Sequence, residues 1–365
     1  MATGAALSIG ISSFAVADYY VNNNNCCPAP ACNPCANWCD NLSFNAAWLY
    51  WKASGDDFQY ANDKFSRAGL GANSFVSEEK YHDLSFDLKS GFRVGVGFDL
   101  PRTCWGVNVD WTHFHTSAKG RTEVVGDTTP AGTYSAGFPV LDGFVVSSIA
   151  DGDVVTFFAA NKFKYDTVDI EFGKWLCCGD SALMFRPHAG FRVADIEERF
   201  RDAVGATGTT TFGEGAYTGA AWQHKNHFKG FGVRIGLDTD FHLCEGFSLV
   251  GRGAASAIWG TTKLRNDLLL TAGTTTPLRY EDQIREDNHN TRFITDLSLG
   301  VRYKTMACDC YPVVIELAWE HHYLFNQHRY WVADSYGDNT DATSSWKSTG
   351  DVALQGLTLS VGFDF

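Results

Sequence analysis

Charge and methionine are scarce in this chain. Charged residues are 19% of its 365, and there are 3 methionines. Acidic side chains exceed basic ones, leaving a net charge of −13. That balance argues against a nucleic-acid partner, which needs a basic face. No run of about 18 apolar residues occurs in the body of the chain, so no transmembrane helix is expected there. Transmembrane strands remain open, because they alternate apolar and polar residues and give no hydropathy peak. Long helices want Ala, Leu, Glu, Lys and Met, and this mix does not supply them. What the chain has instead is 27 Phe, 14 Tyr, 11 Trp and 36 Gly, with 45% hydrophobic residues overall. That is enough apolar material to exclude intrinsic disorder. Aromatics suit strands, and glycines suit bends and turns.

Residues Ala5 to Val16 form a short, uncharged run of small and apolar residues. Ala15-Val16-Ala17 fits a signal-peptidase pattern, which would start the mature chain at Asp18. No Lys or Arg precedes the run, so residues 1–17 read as part of a signal peptide. The alternative is an ordinary buried segment. The Asn-, Pro- and Cys-rich stretch 18–41 has no alternation and reads as a periplasmic arm.

From residue 42 onward, period-two alternation gives ten strand candidates. They run 42–53, 84–100, 105–117, 159–175, 181–199, 226–242, 247–262, 292–306, 312–325 and 352–365. The last places Leu357, Leu359, Val361, Phe363 and Phe365 on one face. In the second, Leu84, Phe86, Leu88, Phe92, Val94, Val96 and Phe98 alternate with polar residues or glycine. Soluble sandwich strands rarely alternate that long, whereas a transmembrane strand needs about nine to eleven residues in the bilayer alone. In 159–175 the alternation changes register near Thr167.

The connections take turns between long and short. Long polar ones fall at about 54–82, 118–158, 200–225, 263–291 and 326–351. Short ones fall at Pro101-Arg102-Thr103-Cys104, Cys177-Cys178-Gly179-Asp180, Cys244-Glu245-Gly246 and Ala307-Cys308-Asp309-Cys310-Tyr311. An even strand count with this layout predicts an antiparallel up-and-down barrel in a bacterial outer membrane, with short turns in the periplasm and long loops outside. Backbone groups in lipid must all be paired, so the first strand should meet the tenth.

In such a barrel the apolar face meets lipid and the polar face lines the lumen. The expected lining is Asp87, Lys89, Arg93, Asp110, Asp169, Glu171, Arg186, Arg192, Arg234, Asp238, Arg252, Asp296, Arg302, Lys304, Glu316 and Glu320. Asp240 shares the face of Arg234 and Asp238. Trp48, Tyr50, Trp105, Trp175, Trp259 and Trp319 suit the aromatic girdles. Two readings of the inward charges stand: a pore lining, with arginines facing carboxylates across the lumen, or a salt-bridged plug. Ten strands make a narrow barrel, since eight are already nearly filled by side chains.

Trp48-Leu49-Tyr50-Trp51, followed by Asp57-Phe58-Gln59-Tyr60-Ala61, resembles the opening strand and first loop of the major outer-membrane-protein-like porins of Legionella and environmental chlamydiae. Phe365 is similar to the C-terminal aromatic by which the barrel-assembly machinery recognises outer-membrane chains. The resemblance implies an abundant envelope porin. In chlamydial relatives it also implies a cysteine-cross-linked envelope protein.

Other chemistries fit less well. His113 and His115 share a strand face, and His321, His322 and His328 cluster near another strand end, but no third ligand is spaced for a metal. Glu320, His321 and His322 could belong to a rim hydrolase, yet no nucleophile motif accompanies them. Gly95-x-Gly97 precedes no helix, so it is not a phosphate loop. No cofactor is expected, and no enzymatic activity.

Eleven cysteines remain: Cys26, Cys27, Cys32, Cys35, Cys39, Cys104, Cys177, Cys178, Cys244, Cys308 and Cys310. Cys32-x-x-Cys35 alone would allow zinc or redox chemistry, but in an exported chain disulfides come first. Five lie in the arm and six in or beside the short turns, so all should reach the oxidising periplasm. An odd count cannot pair fully within one chain. The turns are spread around the barrel, and a disulfide needs Cα atoms within about 7 Å. Bonds to other copies or to cysteine-rich periplasmic proteins are therefore expected. The alternative is pairing inside the arm, with turn thiols left free or paired locally.

Overall fold

A computed structural model describes residues 42–55, 58–68, 75–100, 105–126, 132–137, 145–146, 149–177, 182–208, 218–244, 246–272, 278–307, 311–334 and 344–364. Ten long strands form the barrel: β1 (Leu42–Gly55), β2 (Lys89–Asp99), β3 (Trp105–Val125), β4 (Val154–Lys174), β5 (Leu183–Ala206), β6 (Gly219–Cys244), β7 (Phe247–Ala272), β8 (Leu278–Ala307), β9 (Tyr311–Asp334) and β10 (Ser344–Asp364). Each pairs antiparallel with its chain neighbours, and β1 pairs β10 to close the cylinder, from Ser43 opposite Asp364 to Gly55 opposite Val352. No helix occurs among the described residues.

All ten expected strands are present, but the alternation underestimates their length. β3 to β10 run well past their expected long-loop ends, and β8 begins at Leu278 rather than near 292. The reason is a change of environment. In the lower half the outward side chains are apolar, as with Val168, Phe191, Phe231, Ile235, Leu299 and Leu317. In the upper half the polarity inverts. Phe157, Phe163, Tyr165, Ile196, Phe200, Trp222 and Phe228 point inward and are buried, while the outward positions become charged. The apparent register change near Thr167 is this inversion. Pairing runs unbroken through Thr167, which faces Thr112 on β3 and Ala194 on β5. The strand leaves the membrane there, and its apolar set moves from the lipid face to the interior.

Two expectations are corrected here. Residues 84–88 are not strand: Leu84 and Phe86 are buried instead of facing lipid, and Asp87 is exposed ahead of β2. The first two long connections are not wholly irregular either. Phe75–Asp83, Gln59–Ala68, Gly132–Gly137 and Val145–Val146 form a small antiparallel sheet in that order. Phe58 and Tyr60, at its root, are buried, and Phe58 packs on Phe86 and on the inward His328 at ring distances of 5.2 and 4.8 Å.

Where β6 gives way to β7, Gly246 has φ of +87°. A side chain there would be strained. The expected signal peptide and arm (1–41), Cys104, Cys178, Cys308, Cys310 and Phe365 lie outside the described residues. The backbones of Cys177 and Cys244 sit at short-turn ends, opposite Met184 and Phe247.

Candidate functional site: the charged lumen

Because side chains alternate across a strand, every second residue of the lower half projects into the barrel. Arg93, Asp110, Asp169, Glu171, Arg186, Arg192, Arg234, Asp238, Arg252, Asp296, Arg302, Glu316 and Glu320 all do so and are buried. Glycines on the same face make room for them. A Cβ on Gly173 would fall 2.8 Å from Arg186 Nε, and one on Gly236 would fall 2.5 Å from His188 Nε2.

The side chains form a connected ion-pair network. Arg93 on β2 makes a bidentate pair with Glu320 on β9, at 3.1 and 3.2 Å, and donates to Thr112 Oγ1 at 2.9 Å. Its guanidinium also lies over the Trp51 ring, 5.6 Å from the centroid. Arg192 on β5 grips both oxygens of Asp169 on β4, at 2.6 and 2.7 Å, and reaches Asp296 on β8 at 2.7 Å. Arg234 bridges Glu171, at 2.7 Å, and Asp296. Arg186 pairs with Asp238 at 2.9 Å, and His188 sits 3.5 Å from both Glu171 and Asp238. Nearer the short-turn end, Glu316 receives Arg252 at 2.5 Å and Arg302 at 3.0 Å, while Arg302 also reaches Asp240 at 2.6 Å. Lys304 lies 3.7 Å from Asp240.

The six arginines of the expected lining thus all have carboxylate partners, but the charges interleave and touch instead of forming two opposed rows. Among the described residues Asp110 pairs with no arginine; it accepts from Asn45 Nδ2 at 3.2 Å. Lys89 stays partly exposed and stands 3.9 Å from Asp87. Asp87 itself is off the lumen wall. Removing one partner of a buried pair strands the other charge, at a cost of about 3–5 kcal/mol.

Above this network a second layer crosses the barrel. His328 on β9 contacts Glu198 on β5 at 2.6 Å, and Glu198 also accepts from Asn161 at 2.8 Å. Asn226 on β6 donates to the Gln327 carbonyl at 2.5 Å, and Arg292 on β8 donates to Gln327 Oε1 at 2.9 Å. A bulge between Leu324 and His328 turns both Gln327 and His328 inward. His224 and Asp202 lie in this upper half, clear of lipid. Burial pushes His224 down to about 3, against the hydrogen bond that its Nδ1 donates to Asn266 Oδ1 and that favours its charged form. Burial alone holds the Asp202 carboxyl well above its ordinary range.

Sequence reasoning missed this upper layer. A bulge breaks the period-two pattern that would have flagged Gln327, and Glu198 lies where outward residues are charged too. Asp240 and His188 were detectable, since both share the inward parity of their strands. His322 is held by Asp296 at 2.7 Å and Glu320 at 3.5 Å, under the Trp51 ring. His321 points the other way and stacks on Tyr323. His113 and His115 face outward, and His113 contacts Asp166 at 2.5 Å. Among the described residues no three His, Cys, Asp or Glu side chains converge on a metal position.

The profile of a family described as Legionella pneumophila major outer membrane protein precursor matches residues 33–365. No curated protein matches. Among solved structures, the outer membrane protease OmpT of Escherichia coli is similar at 12% identity, with 90% of this chain and 97% of that chain covered and a TM-score of 0.36. A Pseudomonas aeruginosa FadL homologue has 8% identity, 89% and 91% coverage and a TM-score of 0.25. The Pseudomonas putida toluene transporter TodX has 9% identity, 89% coverage of each chain and a TM-score of 0.24. Likenesses this distant assign no activity. The closed ten-stranded barrel and the match over residues 33–365 together show that this chain belongs to the Legionella major outer membrane protein family of the bacterial outer membrane.

Proposed function

We propose that the chain is an outer-membrane porin that passes ions and small hydrophilic solutes through a constricted, mixed-charge lumen. The observation that carries this reading is the run of buried charged side chains inside the membrane-spanning half. A narrow barrel that only had to sit in lipid could fill that space with apolar side chains. Asn108 Nδ2, Thr116 Oγ1 and Ser298 Oγ also point inward without a protein partner among the described residues. Each such group costs roughly 1–3 kcal/mol if buried dry, which favours a wet lumen. The cross-lumen pairs set a small cut-off. His322, tied to two carboxylates, suits a structural role better than that of a catalytic base.

Liposome swelling tests the reading. Vesicles holding the folded chain should swell in glycerol and fail to swell in a disaccharide. Equal exclusion of both would favour the second reading, a plugged barrel with a structural role, which the His328–Glu198 contact supports.

The cysteine cross-links, to copies of this chain or to cysteine-rich periplasmic proteins, belong to the same proposal, as does recognition of Phe365 by the assembly machinery. Alkylated envelopes run without reductant should give multimers that collapse to monomer when reduced. Monomer in both lanes would remove cross-linking from the account.

A further inference from the structure

The outward face of the upper half carries a row of like charges. Lys162 on β4 stands opposite Arg199 on β5, Arg199 opposite Lys225 on β6, Lys225 opposite Arg265 on β7, and Arg265 opposite Arg285 on β8. Five neighbouring strands therefore place five cations side by side on one rung. Like charges directly opposite one another destabilise a sheet. The chain as a whole is acidic, with a net charge of −13, so general basicity does not explain the row. Internal carboxylates answer it only in part. Glu197 contacts Arg199 and Lys225, the latter at 3.0 Å, and Arg285 donates to Gln283. Lys162 and Arg265 have no ion-pair partner among the described residues.

Beyond the row the wall hollows. On the next outward rungs Ala160 faces Arg201, and Phe158, Ala203, Ala221 and Leu269 lie in register. The three alanines, flanked by larger side chains, form the floor of a dish of about 840 Å³. Its lining comes from β3 to β8 alone among the described residues, so it is a feature of one side of the wall and does not cross the lumen. Arg121 covers the Phe158 ring at 4.9 Å, and the rim carries Lys119 and Arg201 against one carboxylate, Asp267. That volume falls within the usual range for small-molecule sites, roughly 300–1,000 Å³.

Height identifies the ligand class. The unbroken apolar outward run on β4 to β7 ends at Val168, Val193, Phe231 and Trp259, which share one rung. The cation row is six residues further along each strand. At about 3.3 Å per residue and a tilt near 40°, that is roughly 15 Å along the membrane normal. A phospholipid headgroup layer is only about 5–8 Å deep. A saccharide headgroup carrying phosphates is tall enough to reach.

We propose that the cation row and the dish above it bind the phosphorylated saccharide headgroup of a glycolipid in the outer leaflet. Phosphates would lie on Lys162, Arg199, Lys225 and Arg265, relieving their mutual repulsion, and sugar faces would rest on the apolar floor.

The test titrates the full folded chain in detergent micelles with a lipopolysaccharide that carries phosphates on its core saccharide, with the same glycolipid after dephosphorylation, with phosphatidylglycerol and with inorganic phosphate. Saturable binding of the phosphorylated glycolipid is expected, about tenfold or more tighter than any of the other three. The K162Q/R265Q double variant should lose about tenfold or more in that affinity. Lys52→Gln, an outward charge on β1 away from the row, should lose none. A second readout is thermal. Without glycolipid K162Q/R265Q should melt above the unsubstituted chain, and with it below. The proposal is overturned if phosphatidylglycerol or inorganic phosphate binds as tightly, if K162Q/R265Q keeps its affinity, or if K52Q weakens binding equally.

Discussion

At the scale of single residues the interior follows two rules. In the membrane half, each inward arginine is held by carboxylates, some on the adjacent strand, as Arg186 is by Asp238, and some two or three strands away, as Arg192 is by Asp296 and Arg93 by Glu320. In the upper half, polar groups are buried among aromatic side chains with fewer partners. Asp202 is the extreme case. Both of its oxygens lack a protein partner among the described residues, and burial holds its carboxyl well above the ordinary range. A carboxyl raised by folding contributes fully below its unfolded value, and that contribution is lost as pH rises through the folded value. Asp202→Asn should therefore raise the temperature at which the barrel loses its folded gel mobility at about pH 8 and leave it unchanged at about pH 3, below the free carboxyl value. An equal shift at both values would mean that the effect is one of packing.

At the scale of elements, the bulge on β9 is the device that fills the upper lumen. Between Leu324 and His328 lie three residues, against one, Asp351, between their partners Val352 and Gly350 on β10, and Asn326 takes up the difference with φ of 53°. Its amide donates to Asp351 Oδ1 at 2.7 Å. Asn326→Gly should cost little, whereas Asn326→Val should lose about 1–2 kcal/mol in urea unfolding, because a β-branched residue resists the left-handed region. Equal stability of the two variants would mean that the bulge is not held in that conformation. The bulge was not legible in the sequence, since Phe325, Asn326 and Gln327 follow neither period. The lower strands were legible, because lipid outside and charge inside give every second residue a clear polarity. The upper extensions were missed for a related reason. At 157–165 the inward Phe157, Phe163 and Tyr165 reverse the rule that holds from Val168 onward, and a strand whose polarity flips looks like the end of a strand.

At the scale of the whole molecule, the barrel is two environments stacked on one cylinder. The membrane half turns its apolar side chains to lipid and its ion pairs inward; the outer half has an apolar interior and a charged surface, as a water-soluble barrel does. The lining was read from sequence as a list of charges, and most of that list does face the lumen. Which charge meets which could not be read, because partners two or three strands apart are fixed by barrel closure and shear. The central claim is that ions thread this paired network. Single-channel current from the folded chain in a planar bilayer tests it, with reversal potential measured across a salt gradient. We expect discrete small steps, and a reversal potential that moves toward cation preference when Arg93 and Arg234 are both replaced by Gln in a barrel shown to be folded. An absence of steps, or a reversal potential unmoved by the paired substitution, would contradict the account.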